Sequence, residues 1–134
     1  MKEELQRETL LFDKTALALT LGVADVSTLA SLYEIYLQQA RPLLEVLQPG
    51  AGLQGDRTLE KLAHKLKSSS FAVGAQPLSE LLGRLEELCR IDDQDALAEQ
   101  LPSAHALAAE TLAAVETFQI SLAAGAEKLQ LKPD

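Results

Sequence analysis

The chain has 134 residues, a length that suits one domain with a real core and is short for two. Its hydrophobic 47% is mostly Leu and Ala, with three Phe, two Tyr and no Trp, so strong helix formers dominate and an all-α fold is predicted. The net charge of −8, from 20 acidic and 12 basic residues, argues against a nucleic-acid binder, and no apolar run approaches the roughly 20 residues of a membrane span.

A single cysteine, Cys89, allows no intrachain disulfide and fits a reducing compartment. The opening MKEELQRETL lacks the apolar stretch of a signal peptide. A soluble, cytoplasmic protein is expected.

The first segment, KEELQRETLLFDKTALALTLG, carries its acids early, as a helix start prefers. Asp13 is placed to cap a fresh turn and Gly22 to end the pattern, giving one bent helix or two short ones. A second helix is predicted from Asp25 or Ser27. Leu29, Leu32, Tyr33, Tyr36, Ala40, Leu43, Leu44 and Leu47 recur at three- and four-residue spacing, and Pro42 should bend the helix. QPGAGLQGD, residues 48–56, is a loop rich in glycine, after which Asp56 is a good N-cap.

The third helix carries Leu59, Leu62, Ala63, Leu66, Ser70 and Val73 on one face. Gly74 ends it, and Pro77 suits the first turn of a fourth helix with Leu78, Leu81, Leu82, Leu85 and Leu88 on its apolar face. Asp92 or Asp93 marks the next break. A last helix starts near Asp95, with Leu97, Leu101, Ala104, Ala108, Leu112, Val115 and Leu122 in its stripe and a kink or restart at Pro102. The tail from residue 123 to 134 is expected to fray. The connections are short, so the predicted fold is an up-down-up-down four-helix bundle with an additional N-terminal helical segment, in one domain with its core over 13–120.

The chemistry concentrates in AHKLKSSSFAVGA, residues 63–75. His64 lies about 140° from Leu59 on the helical wheel, off the apolar stripe. Lys67, Ser68 and Phe71 share its side, and Lys61 is one turn N-terminal. A lone exposed histidine is most often a plain surface residue. A metal site is disfavoured, because Glu60 is the only ligand-type neighbour at helical spacing. A serine hydrolase is disfavoured too, since Ser68 on the same exposed helix offers no oxyanion hole. No phosphate-binding glycine loop and no kinase signature is present, so no ATP-dependent activity is expected. A nucleophilic imidazole fits the exposed position, with Lys67 one turn away for phosphoryl oxygens and Lys61 and Lys65 extending a basic patch on an acidic chain.

His64-Lys65-Leu66-Lys67-Ser68-Ser69-Ser70, followed by Gly74-Ala75, resembles the signature of histidine-containing phosphotransfer (HPt) domains of bacterial two-component phosphorelays. That family pattern is His-x-Leu-Lys-Gly-Ser-Ser or a variant, then Gly-Ala or Gly-Leu about ten residues after the histidine. LSELLGRLEELCR, residues 78–90, resembles the family's next helix, and the likeness extends over about 13–120. Ser68 departs from the usual glycine, and the loop at 48–56 is long.

The resemblance implies that His64 accepts a phosphoryl group from a receiver-domain aspartyl phosphate and passes it to another receiver aspartate. Lys67 would stabilise the phosphoryl group. Lys61, Lys65, Ser68, Phe71 and Gly74 would contribute to docking, and Gln38, Gln39 and Arg41 on the second helix would lie within reach. Partial burial against the neighbouring helix is an equal alternative for Phe71. The partners implied are receiver domains of response regulators and hybrid histidine kinases. No cofactor is expected on this chain, with Mg²⁺ held by the receiver, and a monomer is expected. His105, in PSAHALAAE, has no lysine one turn away and reads as a surface or boundary residue. The competing reading is a helical adaptor that docks such domains without taking phosphate. A metal-assisted or hydrolytic enzyme ranks last.

Overall fold

Leu-rich periodicity with short interruptions becomes a series of helices. The computed structural model of the chain describes residues 11–22, 25–51 and 57–131, with side chains through 125. Along them run α1 (Ala16–Leu21), α2 (Val26–Ala40), α3 (Pro42–Val46), α4 (Thr58–Ala72), α5 (Gln76–Arg90) and α6 (Gln94–Leu131). The four long helices form the predicted up-down-up-down bundle.

Local chemistry sets most of the ends. Asp13 accepts hydrogen bonds from the Thr15 N–H at 2.9 Å and its hydroxyl at 2.7 Å, turning the chain into α1. Gly22 closes α1 in the left-handed region, at φ +65°. The Asp25 carboxylate caps α2 by accepting from the Thr28 N–H at 2.9 Å. At Pro42 the helix divides: Arg41 is the boundary, and the proline takes the first position of α3, where its missing N–H has no helical partner to lose. The cap expected of Asp56 lies outside the described residues. Asp93 caps α6 by accepting from the Ala96 N–H at 3.2 Å.

Pro102 sits inside α6 without ending it. A proline removes one backbone hydrogen bond, and α6, which packs on α2 and α5, continues through it. Of the kink or restart expected there, the restart does not occur.

The predicted stripes are the core. Leu43, Leu59, Leu66, Leu78, Leu82 and Leu85 are fully buried, and Val115 and Leu97 close the α6 side. Each buried leucine contributes about 2 kcal/mol through surface withdrawn from water. At one end Phe12, Tyr33 and Phe118 meet edge-to-face, with centroids 5.5–5.7 Å apart. This cluster ties the N-terminal segment to α2 and α6.

Helices α4 and α5 pack most extensively on each other, and α2 packs on α6. The α4–α5 turn depends on Gly74, at φ +92°. A Cβ there would lie 2.3 Å from the Asp13 carbonyl oxygen, and the Asp13 N–H donates to the Gly74 carbonyl at 2.9 Å. The glycine therefore serves the turn and the seating of the N-terminal segment together.

Candidate functional site

The tight turn at 73–75 returns α5 antiparallel along α4. Residues about ten positions before the turn then face residues about as far beyond it. His64, on the solvent side of α4, has a side chain 72% exposed. Across the hairpin stands Glu86, half-buried on α5.

The Glu86 carboxylate is shared. One oxygen lies 2.5 Å from His64 Nδ1, and the other accepts from Lys67 Nζ at 2.9 Å. These bonds hold the Glu86 carboxyl below its ordinary value: the Lys67 bond contributes most, the His64 bond supports it, and partial burial opposes both. An ionised carboxylate has no proton to offer, so the proton of a neutral His64 resides on Nδ1. Nε2 then carries the lone pair. The arrangement yields an oriented imidazole with its nucleophilic nitrogen unencumbered by Glu86.

Lys67 is seated by α5 as well. The Ser79 hydroxyl donates to the Lys67 carbonyl at 2.7 Å. Gly83 faces the lysine stem without a side chain. On the other side of α4, the buried Ser70 hydroxyl and the Tyr36 phenol are hydrogen-bonded at 2.8 Å, which links α4 to α2. Burial pushes the Tyr36 phenol up to about 12, so it stays neutral, with the Ser70 bond pulling weakly the other way.

The remaining predicted residues fall into three places. Lys61, Lys65 and Ser68 are exposed on α4 near His64, and Phe71 is 64% exposed rather than packed against a neighbouring helix. Gly74 is buried beneath the Asp13 backbone. Gln38 and Gln39 are exposed on α2, while the Arg41 guanidinium is bonded to Glu116 on α6 at 2.8 Å. His105 is half-buried, lining a hollow of about 350 Å³ with Leu47, Pro49, Leu101 and Pro102. Cys89 is half-buried against the core. Among the described residues, no three His, Cys, Asp or Glu side chains converge on a possible cation position. No described helix is long and apolar enough to cross a membrane.

The sequence profile of the Hpt domain matches residues 31–119. The chain belongs to the Hpt domain family. That match runs from within α2 through most of α6 and contains His64, Lys67 and Glu86. Comparison with curated proteins and with solved structures gave no match. The family is one of histidine phosphocarriers capable of phosphotransfer, and its members interact with receiver domains in phosphorelays. In this Hpt domain the motif histidine and lysine are gathered on one carboxylate from the following helix. Sequence reasoning missed that carboxylate, although counting outward from the Gly74 turn places residue 86 nearly opposite residue 64.

Proposed function

We propose that this Hpt domain is a phosphorelay intermediate that takes a phosphoryl group on His64 Nε2 from a receiver aspartyl phosphate and delivers it to the aspartate of another receiver. The observation that carries this reading is the Glu86 carboxylate on Nδ1 of a histidine whose side chain is 72% exposed. Glu86 orients the ring, selects the reactive tautomer and balances the positive charge that develops on it.

In the forward step the Nε2 lone pair attacks phosphorus. The N–P bond forms as the bond from phosphorus to the aspartate oxygen breaks, and the carboxylate leaves with the electron pair. The Nδ1 proton stays in place, so the phosphorylated ring is cationic and faces Glu86. Return to a second aspartate reverses each bond change. Lys67 is the cation for the phosphoryl oxygens, and the receiver brings Mg²⁺. Exposed Phe71, with Lys61, Lys65 and Ser68, offers an apolar contact in a basic rim for docking. A cytoplasmic monomer meeting its receivers by diffusion fits this role.

The test is to mix the purified protein with a radiolabelled phospho-receiver and Mg²⁺, using wild type, His64→Gln and His105→Gln. Acid-labile, base-stable label is expected on wild type and His105→Gln and not on His64→Gln. No label on wild type from several candidate receivers would favour the adaptor reading.

A further inference from the structure

Three residues of α5 follow Lys67 from backbone to ammonium. Ser79 bonds its carbonyl, Gly83 faces its aliphatic stem, and Glu86 holds its Nζ. They stand at i, i+4 and i+7, on one face of α5. The middle residue is the unexpected one. Glycine is among the poorest helix formers, and Gly83 lies inside a 15-residue helix. Its backbone has no positive φ to explain it, unlike Gly22, Gly50 and Gly74. A Cβ built on it would meet one atom within 4 Å, the Lys67 Cδ at 3.4 Å.

We propose that Gly83, assisted by Ser79, is a positioning residue for Lys67: the side chain missing at 83 leaves the lane in which the lysine stem lies, and so directs its ammonium to the carboxylate that also holds His64. The inference rests on Lys67 being the cation that serves the phosphoryl group. A single Cβ fits the lane in contact with the stem, whereas a longer side chain occupies it and drives the stem out.

The experiment is an NMR titration of the Glu86 carboxyl in wild type, Lys67→Ala, Gly83→Ala, Gly83→Leu and the Lys67→Ala/Gly83→Leu double variant. His64, Lys67, Glu87 and Arg90 are the charged groups that act on Glu86 or feel its charge, and only Lys67 changes in the series. Lys67→Ala is expected to raise the Glu86 midpoint, and Gly83→Leu to raise it by a comparable amount. The double variant should match Lys67→Ala alone. Gly83→Ala should keep the wild-type midpoint while raising Tm by about 4 °C, the ordinary gain of alanine over glycine in a helix.

A folded Gly83→Leu protein with an unshifted midpoint overturns the proposal, as does a further shift in the double variant. If Gly83→Leu does not fold but the double variant does, the clash is with the Lys67 stem and the proposal stands. If neither folds, another neighbour requires the glycine and the proposal falls. Failure of any phospho-receiver to label wild type, with the midpoints moving as expected, removes the phosphocarrier reading and leaves the lane intact.

Discussion

His64 and Glu86 are 22 residues apart in sequence, and their Nδ1 and carboxylate oxygen are 2.5 Å apart in space. The contact crosses from α4 to α5, so it exists only when the hairpin is closed. It joins the candidate phosphoacceptor to a carboxylate placed to hold the ring proton on Nδ1. Glu86→Gln keeps the shape of this contact and removes its charge. The imidazolium of phospho-His64 then loses its counter-charge, and phosphotransfer is expected to slow about tenfold, as for loss of one charge-assisted hydrogen bond near the surface. Rapid-quench transfer from a phospho-receiver measures the rate. Ring ¹⁵N shifts should show a larger Nε2–H tautomer fraction in the variant, and unchanged shifts would remove Glu86 from this role.

The same carboxylate makes stability depend on pH. Lys67 and His64 hold the Glu86 carboxyl below the ordinary 4.5 of a glutamate. Its stabilising contribution is therefore present above about pH 4.5 and is lost as the pH falls through the lower native value. Lys67→Ala removes the largest cause of the lowering, so its urea stability should fall less steeply than wild type on acidification in this window. Asp13, Asp25 and Glu87, also held low by their own hydrogen bonds, keep their share of the slope in both proteins. Parallel stability curves for the two proteins would contradict the assignment.

Tyr36 and Ser70 are a buried pair with no other polar side-chain partner in the described structure. Tyr36→Phe strands the Ser70 hydroxyl and should cost about 1–2 kcal/mol in urea unfolding. Adding Ser70→Ala removes the stranded group, so the double variant should recover part of that loss. A double variant less stable than Tyr36→Phe would mean that Ser70 finds another partner.

Gly74→Ala introduces two faults together, a non-glycine residue at φ +92° and a Cβ 2.3 Å from the Asp13 carbonyl. A loss of about 3 kcal/mol is expected. The N-terminal segment should loosen first, because its backbone is the obstacle. Hydrogen exchange at the Asp13 amide, bonded to Gly74, should quicken more than exchange at amides in the middle of α4.

Much of the bundle is legible in single residues. The apolar stripes of α2, α4, α5 and α6 are read from three- and four-residue spacing, and most of their residues are buried, with Leu32, Leu62, Leu88 and Leu122 at the margin of the core. Gly22, Asp25 and Gly74 mark ends through local chemistry. The two prolines are less transparent. Pro42 splits its helix and Pro102 sits inside one, so the proline by itself does not tell a break from a continuous helix.

Within the site, His64 and Lys67 are legible because both belong to one helix and one short motif, where spacing alone puts them on the same face. Arg41 shows the limit of that reasoning: helix adjacency suggested a reach toward His64, and its guanidinium is bonded to Glu116 instead. Phe71 could have gone either way on the wheel, and packing leaves it exposed.

By itself the sequence determined the helical class and the faces of the helices, which follow from periodicity, and it marked the candidate phosphoacceptor through the motif around His64 that resembles the Hpt signature. Only the tertiary structure decided what holds the acceptor. Glu86 and Gly83 are ordinary surface-like letters in LGRLEELCR until the turn at Gly74 lays α5 against α4. A carboxylate acts on a ring proton, and a missing side chain makes room for a lysine, only over a few ångströms. Such distances between helices are set by how the bundle packs.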